Sequence, residues 1–75
     1  MNRDEIRKKT CIIIRKHEHY LQGTDMMTRG LIWTWSAWDA WKTRRMDEAK
    51  SVARATGGVM VLFNPIVGQK RVIGT

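Results

Sequence analysis

The chain has 75 residues, 43% of them hydrophobic and 28% charged, and its 14 lysines and arginines against 7 acids leave a net charge of +7. That length allows one small domain with a thin core, the apolar fraction excludes wholesale disorder, and no apolar run approaches the ~18 residues of a membrane span. The charge excess favours anionic partners, whether nucleic acid, an acidic protein face or a lipid headgroup surface, and a core this thin leaves room for a homodimer.

Cys11 is the only cysteine, so no intrachain disulfide can form and a reducing, cytoplasmic setting is the simplest expectation. It lies in Cys11-Ile12-Ile13-Ile14, where burial makes a thiol inert. The opening Met1-Asn2-Arg3-Asp4-Glu5 lacks the apolar stretch of a signal peptide, and we expect a soluble protein with no membrane partner.

Residues 1–9 set Arg3, Arg7, Lys8 and Lys9 against Asp4 and Glu5 and read as a flexible basic arm ahead of a single domain over residues 10–75. From Thr10 the β-branched run predicts a central strand. Lys16-His17-Glu18-His19 suits a hairpin turn, and Tyr20-Leu21-Gln22-Gly23 the returning strand. After a loop over residues 24–30, Leu31-Ile32-Trp33-Thr34-Trp35 reads as a third strand whose alternation puts Leu31, Trp33 and Trp35 on one face.

Ser36-Ala37-Trp38-Asp39 has the form of a capped helix start, which would set Trp38 and Trp41 at i and i+3 on one side of a short helix. A second helix runs from residue 46 or 47 to 56, with Asp47 and Glu48 in its first turn and Gly57-Gly58 past its end. Its stripe of Ala49, Val52, Ala53 and Thr56 lets it lie close to a sheet, and the face with Leu31, Trp33 and Trp35 is the expected surface. Residues 59–64 form the strongest strand, ended by Pro65. Residues 69–73 add a short edge strand protected by Lys70 and Arg71. The whole is an α+β fold: one antiparallel sheet of about four strands, in chain order β-β-β-α-α-β with room for a short last strand, and helix packed on one face.

Four tryptophans, Trp33, Trp35, Trp38 and Trp41, fall within nine positions. At about 150–250 Å² each they exceed what so thin a core can enclose, so at least one is exposed. Trp33 and Trp35 read as structural, whereas Trp38 and Trp41 divide between core and surface. The basic residues that follow, Lys42, Arg44, Arg45, Lys50 and Arg54, join Trp38 and Trp41 as the candidate binding set, with Arg44 and Arg45 placed for a phosphate or carboxylate near a helix start. For Lys50 and Arg54 a solvated helix face is the competing reading.

Catalytic signals are missing. His17-Glu18-His19 supplies two imidazoles with no third ligand and makes a poor zinc site. With Cys11 it makes no hydrolase, because no group orients the histidine. Gly57-Gly58 lacks the lysine and the following helix of a phosphate loop. The sequence therefore predicts a protein that is not an enzyme and has no metal or other cofactor.

The segments Tyr20-Leu21-Gln22-Gly23, Trp33-Thr34-Trp35-Ser36-Ala37-Trp38-Asp39-Ala40-Trp41-Lys42-Thr43-Arg44, Ala53-Arg54-Ala55-Thr56-Gly57-Gly58 and Phe63-Asn64-Pro65, together reaching over residues 10–71, resemble a pattern in small uncharacterised proteins of bacterial phages and prophages. The resemblance implies a mobile-element setting and the cytoplasm of an infected or lysogenic host, where compact proteins inhibit host machinery; anti-CRISPR proteins are the best developed such class. The function expected is a non-enzymatic, anti-CRISPR-like inhibitor that docks an aromatic and basic surface on a host ribonucleoprotein or other effector. A small basic nucleic-acid-binding protein and a virion assembly protein acting by oligomerisation are the alternatives.

Overall fold

The computed structural model describes residues 9–74, so the expected arm, apart from Lys9, lies outside the described residues. Its elements are β1 (Cys11–Lys16), β2 (His19–Thr24), β3 (Leu31–Thr34), α1 (Met46–Thr56), β4 (Val59–Asn64) and β5 (Gln69–Gly74). The five strands make one antiparallel sheet in the order β3-β2-β1-β4-β5. The α+β class and the helix on one face agree with the sequence reading. The last strand, however, is a full six residues.

The central pair is β1 with β4, in register from Cys11↔Phe63 to Arg15↔Val59. Both strands are continuous apolar runs because both of their faces are covered. One face carries Ile12, Ile14, Leu21 and Met60, packed under Ala49 and Ala53 of α1 with Trp33, Trp41, Val52, Leu62 and Ile73 around them. The other carries Cys11, Ile13, Tyr20, Val61 and Phe63 with Ala37 and Ala40. Ile13, Ile14 and Phe63 are fully buried, and truncating such a ring as Phe63 costs about 3–5 kcal/mol.

Strands β1 and β2 pair only beside their two-residue turn, at Arg15↔Tyr20 and Lys16↔His19. Beyond that point they part, and residues 41–43 pass between them. Trp41 N–H donates to the Leu21 carbonyl at 2.8 Å, while Ile12 and Thr43 exchange backbone hydrogen bonds at 2.7 and 3.0 Å. The chain thereby crosses the sheet, from Ala37 and Ala40 on one face to Trp41 and α1 on the other.

This crossing corrects the first predicted helix. Only a single 3-10 turn, Ala37–Asp39, forms, and the Ser36 side chain makes no capping bond. Its backbone N–H is instead held by Thr34 Oγ1 at 3.2 Å. Trp38 and Trp41 consequently sit on opposite faces of the sheet rather than on one side of a helix.

Helix α1 spans the expected residues, with Asp47 and Glu48 in its first turn and Arg54 in its last. It lies across β1 and β4, and the strand face expected to receive it contributes Trp33 at its flank. Gly57 ends it in the left-handed conformation at φ 73°, its N–H bonded to the Ala53 carbonyl. Gly58 then passes so close to β1 that a Cβ there would stand 2.6 Å from Ile14 Cγ2 and 2.9 Å from the Arg15 carbonyl oxygen. Gly58→Ala is expected to destabilise the fold by about 1–3 kcal/mol through this overpacking, read from the urea midpoint at unchanged m-value.

Candidate functional site

Trp38 is placed by its 3-10 turn over Phe63, ring edge against ring face, with centroids 5.2 Å apart and planes at 89°. Its Nε1–H donates to the Pro65 carbonyl at 3.0 Å. The other end of the indole lies against Gly68, in the turn between β4 and β5. Three contacts thus fix the ring, yet 55% of the residue remains exposed. A rigid, exposed indole loses little entropy when a partner covers it.

Lys42 is bonded to the backbone of the same turn. Its Nζ donates to the Trp38 carbonyl and, at 2.9 Å, to that of Ala40. Two of its three N–H donors therefore brace the 3-10 turn, and the positive charge is held at the backbone of the turn that carries the indole. Lys42 and Arg44 also border a shallow cavity of about 260 Å³ together with Lys9, Cys11, Thr43 and Pro65. Among the described residues its lining holds three cations and no carboxylate, a composition that favours anions.

Of the sequence-predicted binding residues, Trp38, Lys42 and Arg44 are brought together. Trp41 is half-buried on the helix side. Arg45 pairs with Asp47 at 3.1 Å, an exposed contact that screening leaves weak. Lys50 and Arg54 lie exposed on α1.

Exposure also corrects the roles given to the tryptophans. Trp35, read as structural, is 69% exposed because β3 ends at Thr34 and leaves it beyond the ladder. Its ring packs against His19 with centroids 3.9 Å apart and planes tilted by 52°, a contact with no sequence signal. Trp33 behaves as expected and flanks the core. The part played by the Pro65 carbonyl was likewise unreadable, since it depends on a contact 27 residues away.

Among the described residues, no cluster of His, Cys, Asp and Glu could hold a metal ion, and no helix is long and apolar enough to cross a membrane. Comparison with known protein families, curated proteins and solved structures finds no match.

Cys11 forms part of the cavity wall, and its thiol donates to the Phe63 carbonyl at 3.3 Å. Burial raises its pKa above the ordinary 9.0, outweighing the lowering by Lys42 and Arg44. The unfolded chain therefore ionises first, and this group makes stability fall as pH rises past about 9. Cys11→Ala is expected to flatten that slope in urea melts between pH 8 and 10, and native Cys11 should react with a thiol probe far more slowly than urea-unfolded protein.

Proposed function

We propose that this protein is a non-enzymatic binding protein, of the inhibitor type carried by phages, that docks the surface around Trp38 on a host nucleoprotein. The observation that supports it most directly is the pinned, half-exposed indole beside the cationic cavity. An aromatic anchor with adjacent cations has the composition of an interface hot spot. It also suits a partner that presents protein and phosphate together, because the ring contributes contact area and the charges orient the encounter. Covering a nucleic-acid channel of that partner would inhibit it without chemistry.

A direct nucleic-acid reading is favoured by one feature, the three cations Lys9, Lys42 and Arg44 that border the cavity among the described residues. A phosphate could rest on Lys9, Lys42 and Arg44 while a base stacks on Trp38. Such binding weakens steeply with salt, by a log–log slope of about −0.7 for each phosphate contacted on a single strand.

Affinity capture from a bacterial lysate, with and without nuclease, separates the two. The inhibitor reading expects one nucleoprotein to be retained stoichiometrically after nuclease treatment. Trp38→Ala should weaken that capture by about 2 kcal/mol, roughly thirtyfold, and Arg44→Ala should also weaken it, while Arg45→Ala leaves it unchanged. Broad capture abolished by nuclease would replace this reading with the nucleic-acid one.

A further inference from the structure

The two faces of the sheet are covered unequally. Helix α1 lies on the side of Ile12, Ile14 and Met60, whereas the opposite face carries the short 3-10 turn with Ala37, Ala40 and Trp38. On this open face strand alternation places Arg15, which follows Ile13 by two residues and pairs with Tyr20, and Lys70, which pairs with Phe63. The Lys70 Nζ lies 5.5 Å from the centre of the Tyr20 ring on the same side. Only strand pairing brings either cation to the side of Trp38.

Lys9, Lys42 and Arg44 border the cavity with Cys11 and Pro65. Because Thr43 bridges to Ile12, residues 42–44 run beside β1. A row across the sheet therefore leads from Lys42 and Arg44, past Cys11 on β1 and Phe63 on β4, to Lys70 on β5. Three strand spacings make it about 14 Å long. Trp38 stands over Phe63 within that row, and Arg15 lies four residues, about 13 Å, along β1 from Cys11.

Acids are scarce here. None of the five strands contains an Asp or Glu, and the 3-10 turn adds one, Asp39. Arg15 and Lys70 make no ion pair among the described residues.

We infer that the open face is a track for single-stranded nucleic acid, with a base stacked on Trp38 and backbone phosphates running from Lys42 and Arg44 across to Lys70 and Arg15. The inference rests on the reading of the Trp38 surface as the docking face and deepens it, since the nucleic acid of the nucleoprotein is then held directly and by residues beyond the cavity.

Charge and shape select this occupant. Several cations against one acid favour a polyanion. The indole is fixed by three contacts and 55% of its residue is exposed, so it offers a flat platform. An unpaired base can stack on such a ring, whereas the bases of a duplex already cover one another. An acidic protein segment engages the cations but makes no use of the platform.

Fluorescence anisotropy of the purified whole chain with a labelled oligothymidylate of about 15 nucleotides, over a salt series, tests the track. Each phosphate contacted on a single strand contributes about −0.7 to the log–log salt slope, so four or five contacts give about −3 to −3.5. Arg15→Gln and Lys70→Gln should each make the slope shallower by about 0.7. Arg15→Lys and Lys70→Arg should keep it, which separates lost charge from lost packing over Tyr20. Trp38→Leu should weaken binding by about fivefold or more at unchanged slope. Lys50→Gln and Arg54→Gln, on α1, should leave the slope as it is.

An equal change from the two helix variants overturns the track and reduces binding to net charge. A duplex of the same length or a polyglutamate peptide that binds as tightly, with no dependence on Trp38, overturns the single-strand assignment. Absence of oligonucleotide binding at about 0.1 M salt, alongside nuclease-resistant capture of a nucleoprotein, overturns the track and leaves the docking reading intact. Oligonucleotide binding without such capture sustains the track and removes the docking reading.

Discussion

The passage of residues 41–43 between β1 and β2 is the constraint on which the rest of the structure depends. By parting, the two strands would leave the polar groups of Ile12 and the carbonyl of Leu21 without partners, at about 1–3 kcal/mol for each buried group. Thr43 and Trp41 supply those partners. The same three residues bring the connection from β3 to the opposite face, where α1 covers Ile12, Ile14 and Met60. Ala37, Ala40 and Trp38 remain on the first face beside Phe63. Both layers of the core are therefore organised by one short extended segment, and a regular helix at residues 37–41 is incompatible with it.

The candidate site is a by-product of that crossing. Because the chain turns down into the sheet just after Ala40, the 3-10 turn is held against β4, and Trp38 reaches both Phe63 and Pro65. Lys42 braces the turn from its far side, so its charge is fixed in place with little further entropy to lose. The tryptophans divide their labour accordingly. Trp33 and Trp41 fill space around the helix, Trp38 is anchored but open, and Trp35 is left outside the ladder against His19.

Charge and strand edges act together on the outer surface. A chain at +7 repels its own copies at long range, and its two sheet edges differ in charge. Lys70 and Arg71 protect the β5 edge, and Lys70 also lies over the Tyr20 ring at 5.5 Å from its centroid, so one residue both blocks pairing and covers an aromatic of the core. The unguarded β3 edge and the Trp38 surface are separate features, one made of backbone donors and acceptors and the other of a ring with cations.

The sequence by itself determined the elements whose signals are local. Helix α1 was legible from its acids, its small-residue stripe and Gly57-Gly58, since capping and dipole effects act within a turn. Strands β1 and β4 were legible from β-branched runs, and the edge position of β5 from Lys70 and Arg71. Of the site, the residue types were legible, and so was the expectation that the four tryptophans could not all be buried. Only the tertiary structure decided which of them are open and which cations converge. Ser36-Ala37-Trp38-Asp39 carries a helix-start pattern, yet the backbone groups of Ile12 and Leu21 needed partners, and satisfying them drew residues 41–43 into an extended path. That need arises between segments about 20 to 30 residues apart in the chain, where local propensity, worth less than a kilocalorie per residue, has no bearing.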